Sequence, residues 1–519
     1  MSLLLTTPEQ HDFQDPTLEL DARRLYDGLS AMPAMNAEES VRQVLLALEP
    51  LNEQRLDTSL RLELLDVYRP FVQRLFESAE PIRLRQQPLS RQQRQNAVDD
   101  IERLCLAMAN GYKLVIKAMH ADGTYRTALP AFGRVVRAAA RQLAAALLHS
   151  YRYYRPEPPV VFLELNQLYR LARHHGVHDA LDDSEVDSTV SLAVSYQATC
   201  LLSLLDPFAA EEGQADLYYR TLLQYAGKVR IVPGNSWQGI PEGLFFIDLM
   251  RDNHPQHCVF LTSPVEGDEP YLIDARPALQ LMHKTLVALS QDRRRQRSEA
   301  AILKHLLPEV TPRDKRRSRR RIGGSWIDVV VGLDAVYDWL LRHKENDAPE
   351  PRHWIIRDRS EQGYRLGWSE SSASALQVGD LVCVVGDGEN PDAPFRLLAV
   401  RWLRDDRDKG TELGVEAFES IPAPVELEFE AEAEAEAEAE AEAASSPRGE
   451  VGSGTRVYKA LFLPSSGDEG SAARLVAPAG LYASRRPMTI HVGDRDVKVI
   501  CTERIEQTAG YDCFEFTAT

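Results

Sequence analysis

Apolar residues recur at helical spacing through much of the first half of the chain. Val41, Val44, Leu45 and Leu48 form one stripe, and Leu60, Leu64, Val67 and Phe71 form another. An i, i+3, i+4 pattern places each set on one face of a helix. Pro70 predicts a kink or break in the second stripe, because proline lacks a backbone donor and crowds the preceding turn. Longer periodic segments run from Ala97 to Met119 and from Phe132 to Tyr154. The latter carries Ala138-Ala139-Ala140 and Ala144-Ala145-Ala146, residues of the highest helix propensity. Further helices are expected near 160–175, 187–205 and 214–226, with breakers such as Pro156-Glu157-Pro158-Pro159 between them. No fixed period links these segments, so residues 1–227 read as an irregular helical domain or solenoid rather than a regular repeat array.

The pattern changes near residue 228. Lys228 to Val232, Gly243 to Leu249, Cys258 to Thr262 and Tyr271 to Ile273 are short apolar runs separated by Gly, Pro and Asn. They predict a small β segment of no assigned fold, followed by a helix from about Ala278 to Leu307, within residues 228–310. Residues 311–422 carry further strand-like runs. Glu and Ala then alternate to Ala444. That alternation favours a helix by propensity but stacks like charges at i, i+4, so residues 426–455 read as a solvated acidic linker. Beyond it, Met488 to Val492 and Val497 to Ile500 alternate as strands do, predicting a small C-terminal β module at 456–519. The fold class is therefore α+β and multidomain, with a mostly helical N-terminal half.

Composition narrows the function. The chain has 519 residues, 44% hydrophobic and 27% charged, as expected of several packed domains. The net charge is −18. Residues 426–442 hold nine glutamates and no base, so the remainder stands at about −9. Such an acidic balance argues against nucleic acid as the general partner, despite basic clusters at Arg293-Arg294-Arg295-Gln296-Arg297 and Lys315 to Arg321. The six cysteines are scattered and form no Cys-x-x-Cys pair, which speaks against a zinc site or a disulfide framework and for a reducing compartment. No run of eighteen apolar residues is present, and Leu3-Leu4-Leu5 is too short for a secretory core, so a cytoplasmic location without a membrane span is expected. His174, His175 and His178 are interrupted by Gly176 and read as a helix C-terminus rather than a metal site. Neither Gly-x-Ser-x-Gly nor a Walker loop occurs, and Gly323-Gly324-Ser325 is too short for a phosphate loop, so no enzyme is expected.

The sharpest chemical signal is Arg357-Asp358-Arg359-Ser360-Glu361-Gln362-Gly363, which reads Asp-x-Ser-x-x-Gly. Upstream, the basic run offers three registers of Arg-x-x-x-Arg: Arg313/Arg317, Arg316/Arg320 and Arg317/Arg321. The run, the motif and the strand-like segments after it together resemble the PilZ domain family, which binds the bacterial second messenger cyclic di-GMP. Those segments are Tyr364-Arg365-Leu366, Leu376 to Val382, Phe395 to Arg404 and Glu412 to Phe418. The resemblance implies an antiparallel β-barrel over 311–422. It also implies cyclic di-GMP as ligand, with no metal, and a site of Arg316, Arg317, Arg321, Asp358, Ser360 and Gly363. The chemistry is coherent. Arginine forks phosphates and stacks on bases. A carboxylate accepts the N1–H and N2–H donors of guanine, and glycine lets the chain turn close to a ligand. Trp354-Ile355-Ile356 would lead into the motif.

One interval departs from the family pattern. Arg321 and Asp358 stand thirty-seven positions apart, and Leu333, Val336, Tyr337 and Leu340 between them have helical spacing. Either a helix is inserted after the first strand, or that strand, Trp326 to Val331, is short. The expected output is contact with a protein partner through residues 1–300. The competing expectation is a scaffold whose barrel binds no ligand.

Overall fold

The computed structural model describes residues 3–12, 15–32, 37–81, 90–181, 190–234, 243–258, 269–291, 297–309, 321–342, 352–368, 376–386, 395–406, 409–429, 456–465, 472–493 and 495–519. The chain forms two compact units. The first comprises residues 1–207 and 212–315, and the second 208–211 and 316–519.

The first unit contains α1 (Ala22–Ser30), α2 (Ala37–Glu53), α3 (Thr58–Ser78), α4 (Arg91–Asp122), α5 (Leu129–Arg152), α6 (Val161–His174), α7 (Leu192–Leu204) and α8 (Gln214–Ala226). Local sequence sets several ends. Ser90 and Gln93 form a reciprocal capping box at the start of α4, and Gly123 closes its end at φ 77°. Asp57 caps α3 through the amides of Ser59 and Leu60. Of the kink or break expected at Pro70, the break does not occur. Helix α3 continues through it because Tyr68, Phe71 and Val72 on either side are buried and hold both halves in the core. Helices α4 and α5 pack against each other as a long hairpin, and Leu104, Met108, Val136, Ala139 and Leu143 within them are buried. Lys113 of α4 meets Glu164 of α6 at 2.7 and 2.8 Å with both side chains 3% exposed, and Thr6 donates to the same carboxylate through its amide and hydroxyl.

Strands β1 (Arg230–Pro233), β2 (Leu244–Asp248), β3 (Gln256–His257) and β4 (Pro270–Asp274) form one antiparallel sheet in the order β1-β4-β2-β3. It is fastened to α6 by Asn166 and Gln167, whose amides donate to the carbonyls of Arg251 and Leu249. The single helix expected over 278–307 is two, α9 (Arg276–Gln291) and α10 (Arg297–Glu309). The histidine group ends α6 at His174, with His175 as its C-cap and Gly176 at φ 69°. Among the described residues, no cluster of His, Cys, Asp and Glu is arranged to hold a metal ion, and no helix is long and apolar enough to cross a membrane.

The second unit holds two six-stranded antiparallel barrels. The first uses β6 (Trp326–Val331), β7 (Arg352–Ser360), β8 (Gly363–Trp368), β9 (Leu381–Val385), β10 (Phe395–Asp406) and β11 (Gly410–Ala417), ordered β7-β6-β9-β10-β11-β8 and closed by β7 on β8. A two-residue strand β5 (Arg321–Ile322) pairs with β7 beyond the end of β6. Both readings of the long interval hold: the first strand has six residues, and helix α11 (Leu333–Arg342) follows it. Helix α11 buries Leu333, Val336, Tyr337, Trp339 and Leu340. They share one apolar cluster with Leu381 and Leu397 of this barrel and Leu461, Val476 and Tyr511 of the next.

The second barrel runs β12-β13-β14-β17-β16-β15. Its strands are β12 (Ala423–Phe429), β13 (Arg456–Leu463), β14 (Arg474–Ala477), β15 (Pro487–Val492), β16 (Arg495–Gln507) and β17 (Asp512–Ala518). Strand β12 corrects two expected boundaries. The sequence reading puts residues 426–429 in the solvated linker, yet Val425, Leu427 and Phe429 are buried and alternate with Glu426 and Glu428. This period of two is the signature of a strand with one face in the core. The C-terminal module therefore begins at Ala423 and not at 456, and the acidic tract lies between its first and second strands. Phe429 pairs directly with Arg456 across that interval.

Candidate functional site

The motif forms the hairpin between β7 and β8. Ser360 pairs with Gly363, Arg359 with Tyr364 and Asp358 with Arg365, while a bulge at Arg357 shifts the ladder. The Ser360 hydroxyl donates to the Gly363 carbonyl at 3.4 Å. Gly363 serves close approach rather than an unusual φ. A Cβ on it would lie 1.9 Å from the carbonyl oxygen of Val415 on β11. The Gln362 carbonyl accepts from the Ala417 amide at 2.8 Å, which ties the turn to β11. Arg396 braces it from β10, donating to the Glu361 carbonyl at 3.0 Å and lying over the Tyr364 ring.

Alternation along the strands sorts the side chains by face. Ile356 and Leu366 point into the barrel and are buried, so Asp358 and Arg365 point outward. Asp358 is 17% exposed and lies 3.8 Å from Arg365. Arg365 is held by Glu412 at 2.7 Å, a hydrogen bond that raises its pKa and keeps it charged. Arg357 lies 3.9 Å from the same carboxylate. On this outer surface Trp402 of β10 lies flat on Gly414, where a Cβ would meet the indole nitrogen at 1.9 Å.

Strand β5 brings the end of the basic run to the motif. Ile322 pairs with Asp358 and Arg321 with Arg359. Gly323 donates to the Arg357 carbonyl at 3.0 Å and Ile356 to the Ser325 carbonyl at 3.0 Å, which joins β5 to β6 along one side of β7. The interval from Arg321 to Asp358 thus holds β6, α11 and the return of β7, and the chain arrives back beside its start. Directly paired residues share a face. Asp358 therefore shares its face with Ile322 and Arg365, while Arg321 shares the opposite face with Arg359. Arg316 and Arg317 lie outside the described residues. Ile322 is 93% exposed and Trp326 61%, so apolar surface flanks the acid.

The structure brings Asp358, Ser360 and Gly363 together and sets Arg321 one ladder position away. Sequence reasoning missed Arg357, Arg365, Glu412, Arg396 and Trp402. Arg357 and Arg365 flank the motif and could have been flagged by charge alone. Trp402 could have been flagged by its pairing with a strand glycine, but only once the register was known.

Comparison with known proteins covers three stretches of the chain. Residues 22–234 match the family model "Cyclic-di-GMP receptor FimW, N-terminal domain". Residues 340–424 match "Cyclic-di-GMP receptor FimW, middle PilZ domain", and residues 443–519 match "FimW C-terminal beta-barrel domain". Over its whole length the chain is similar to the Cyclic-di-GMP receptor FimW of Pseudomonas aeruginosa. Identity is 22%, covering 99% of this chain and 93% of that one.

Proposed function

We propose that this chain, which belongs to the PilZ family through its middle domain, is a receptor for cyclic di-GMP. The observation that carries the reading is the pairing of β5 with β7. It places the end of the basic run beside Asp358 and Ser360, where a ligand with two phosphates and two guanines needs cations and acceptors at once. In this reading Asp358 accepts from a guanine edge and Ser360 adds a hydroxyl on the same outer face. Arg321, with Arg316 and Arg317 before it, neutralises phosphate. Gly363 keeps the hairpin close to β11 so that these groups hold their register. Arg357 and Arg365 add positive potential around them.

The further steps are part of the proposal. Ligand binding orders the basic segment, and the helical domain passes the second-messenger level to a protein partner. Such a relay requires the ligand to favour one of two arrangements by differential affinity. The protein acts in the cytoplasm as a binding protein and not as a catalyst. A second reading, a barrel that binds no ligand, draws on one observation: the register sends Arg321 to the face opposite Asp358.

Calorimetric titration of the full chain with cyclic di-GMP, with GTP as control, tests the proposal. Saturable binding that Asp358→Ala and Arg321→Ala each weaken at least about tenfold supports it, since charge-assisted hydrogen bonds contribute roughly 1.5–3 kcal/mol. Absence of binding favours the scaffold reading. Binding that both variants retain places the ligand elsewhere.

A further inference from the structure

Two successive residues of β7, Arg357 and Asp358, stand on the outer face of the first barrel. A regular strand would send them to opposite faces. The bulge breaks that alternation. Ile356 pairs with Leu366 and Asp358 with Arg365, so Arg357 is the extra residue, and bulges of this kind re-aim a side chain. The Arg357 side chain lies across Gly367 of β8. A Cβ on that glycine would meet Arg357 Nε at 2.7 Å, and Cγ and Cζ at 3.4 Å. Gly367 faces outward, because Leu366 before it is buried in the barrel.

A glycine inside a strand weakens it, and it marks a place where another group comes close to the backbone. Here that group is a cation laid along the sheet, as the Trp402 indole is laid on Gly414. Glu412, the partner of Gly367 on β11, lies 3.9 Å from Arg357 Nε on the same face. Arg357 still keeps 45% of its side chain exposed, so the side turned away from Gly367 is open. Its surroundings are apolar in two directions. Ile355 pairs with Gly367 and Trp326 with Ile355, which carries the outer face on to an exposed indole. Exposed Ile322 pairs with Asp358. A flat cation beside a carboxylate and an apolar rim suits a planar heterocycle, which offers a face to the guanidinium and N–H donors to the acid. A phosphate would have no use for the apolar rim.

We propose that Arg357 is the stacking platform for one guanine of the ligand. The base lies on the open side of the guanidinium, with Trp326 and Ile322 at its rim, and Asp358 accepts from its N1–H and N2–H edge. This inference rests on the cyclic di-GMP reading and assigns a base, rather than a phosphate, to Arg357. Gly367 is the positioning residue, since its missing side chain is what lets the arginine lie down.

The test is calorimetric titration of the full chain with cyclic di-GMP at fixed ionic strength, for wild type and four variants. Charge acting at a distance survives in Arg357→Lys and is lost in Arg357→Trp, whereas a stacking plane is lost in the first and kept in the second. Arg357→Gln and Arg357→Lys should each weaken binding about tenfold, and Arg357→Trp should stay within about threefold of wild type. Gly367→Ala keeps the charge but lifts the guanidinium off the sheet, and should weaken binding about as much as Arg357→Lys. Its methyl meets a flexible side chain and not backbone, so far-ultraviolet dichroism should be unchanged. In Arg357→Gln the added Gly367→Ala should cost less than about twofold more, because both changes remove one contact. Should Arg357→Trp fail to fold, Arg357→Lys and Gly367→Ala decide. Wild-type affinity in folded Arg357→Lys overturns the proposal, as does a folded Arg357→Trp as weak as Arg357→Gln, or full additivity with Gly367→Ala. Wild type that binds no cyclic di-GMP overturns the receptor reading and this inference with it, whereas binding indifferent to Arg357 overturns this inference alone.

Discussion

Gly363→Ala isolates the demand that the hairpin makes on its neighbour. The new methyl would stand 1.9 Å from the Val415 carbonyl oxygen, 2.9 Å from its carbon and 3.2 Å from the Glu416 Cα. Non-bonded heavy atoms need roughly 3.5 Å, so β8 must retreat from β11 by about 1.5 Å. The obstacle is backbone on both sides, and no rotamer change relieves it. Overpacking of this kind costs about 1–3 kcal/mol, and the pairing of the Ala417 amide with the Gln362 carbonyl, about 1 kcal/mol, is lost with it. The expected destabilisation of this corner is about 2–4 kcal/mol. Gly324→Ala is the matched control, since nothing lies within 4 Å of its added methyl, and it should stay within about 0.5 kcal/mol. Because a multidomain chain does not unfold in one step, the assay is amide hydrogen exchange of peptides spanning Ser360 to Ala417 in the full chain. At tenfold per 1.4 kcal/mol, exchange there should accelerate by roughly 30-fold to several hundredfold in Gly363→Ala. Protection within about threefold of wild type would refute the reasoning, and so would an equal loss in Gly324→Ala.

Other outcomes follow from the buried groups of the helical unit. Lys113→Met leaves the Glu164 carboxylate without its cation inside the fold and should cost about 3–5 kcal/mol by urea denaturation. Lys113→Met with Glu164→Leu should recover most of that, because Thr6 is exposed and regains water. Burial, with Arg152 nearby, pushes the fully enclosed His149 imidazole down to about 3. Its folded value lies below the unfolded value near 6.5, so its contribution is fully present above pH 6.5 and is lost as pH falls toward 3. Urea midpoints of the helical unit, followed by far-ultraviolet dichroism, should fall by the equivalent of a few kcal/mol between pH 7 and pH 4. The decline should be shallower in His149→Phe.

The helices were legible because their apolar residues repeat with the helical period over many turns. Segment 214–226 was placed to the residue. Pro70 does not end its helix because proline's cost of about 3 kcal/mol is local, whereas the packing of Tyr68, Phe71 and Val72 is tertiary. The hairpin carrying Asp358 and Ser360 was legible through the resemblance to the PilZ family, which sets the motif between two strands. Strand β5 was not, because two residues carry no period and Arg321 joins β7 only by long-range hydrogen bonds. Nor was β12. Val425-Glu426-Leu427-Glu428-Phe429 alternates as a strand should, but its glutamates run straight into the Glu/Ala repeat and take on its character. Gly414 and Trp402 carry no sequence signal of their contact until β10 and β11 are paired.

The position of β12 changes what the acidic tract does to the molecule. A tether between two bodies sets their reach, and cutting it lets one diffuse away. Here both ends of the tract are anchored on neighbouring strands of one barrel, Phe429 against Arg456. A change in its length alters a connection within one barrel, and each doubling of a flexible loop costs only about 0.6 kcal/mol. A protease that nicks it yields two polypeptides still zipped together along β12 and its partners β13 and β15. The tract is thus the natural place to split this protein into complementing halves, or to graft a reporter, without loosening the barrel whose strands flank it.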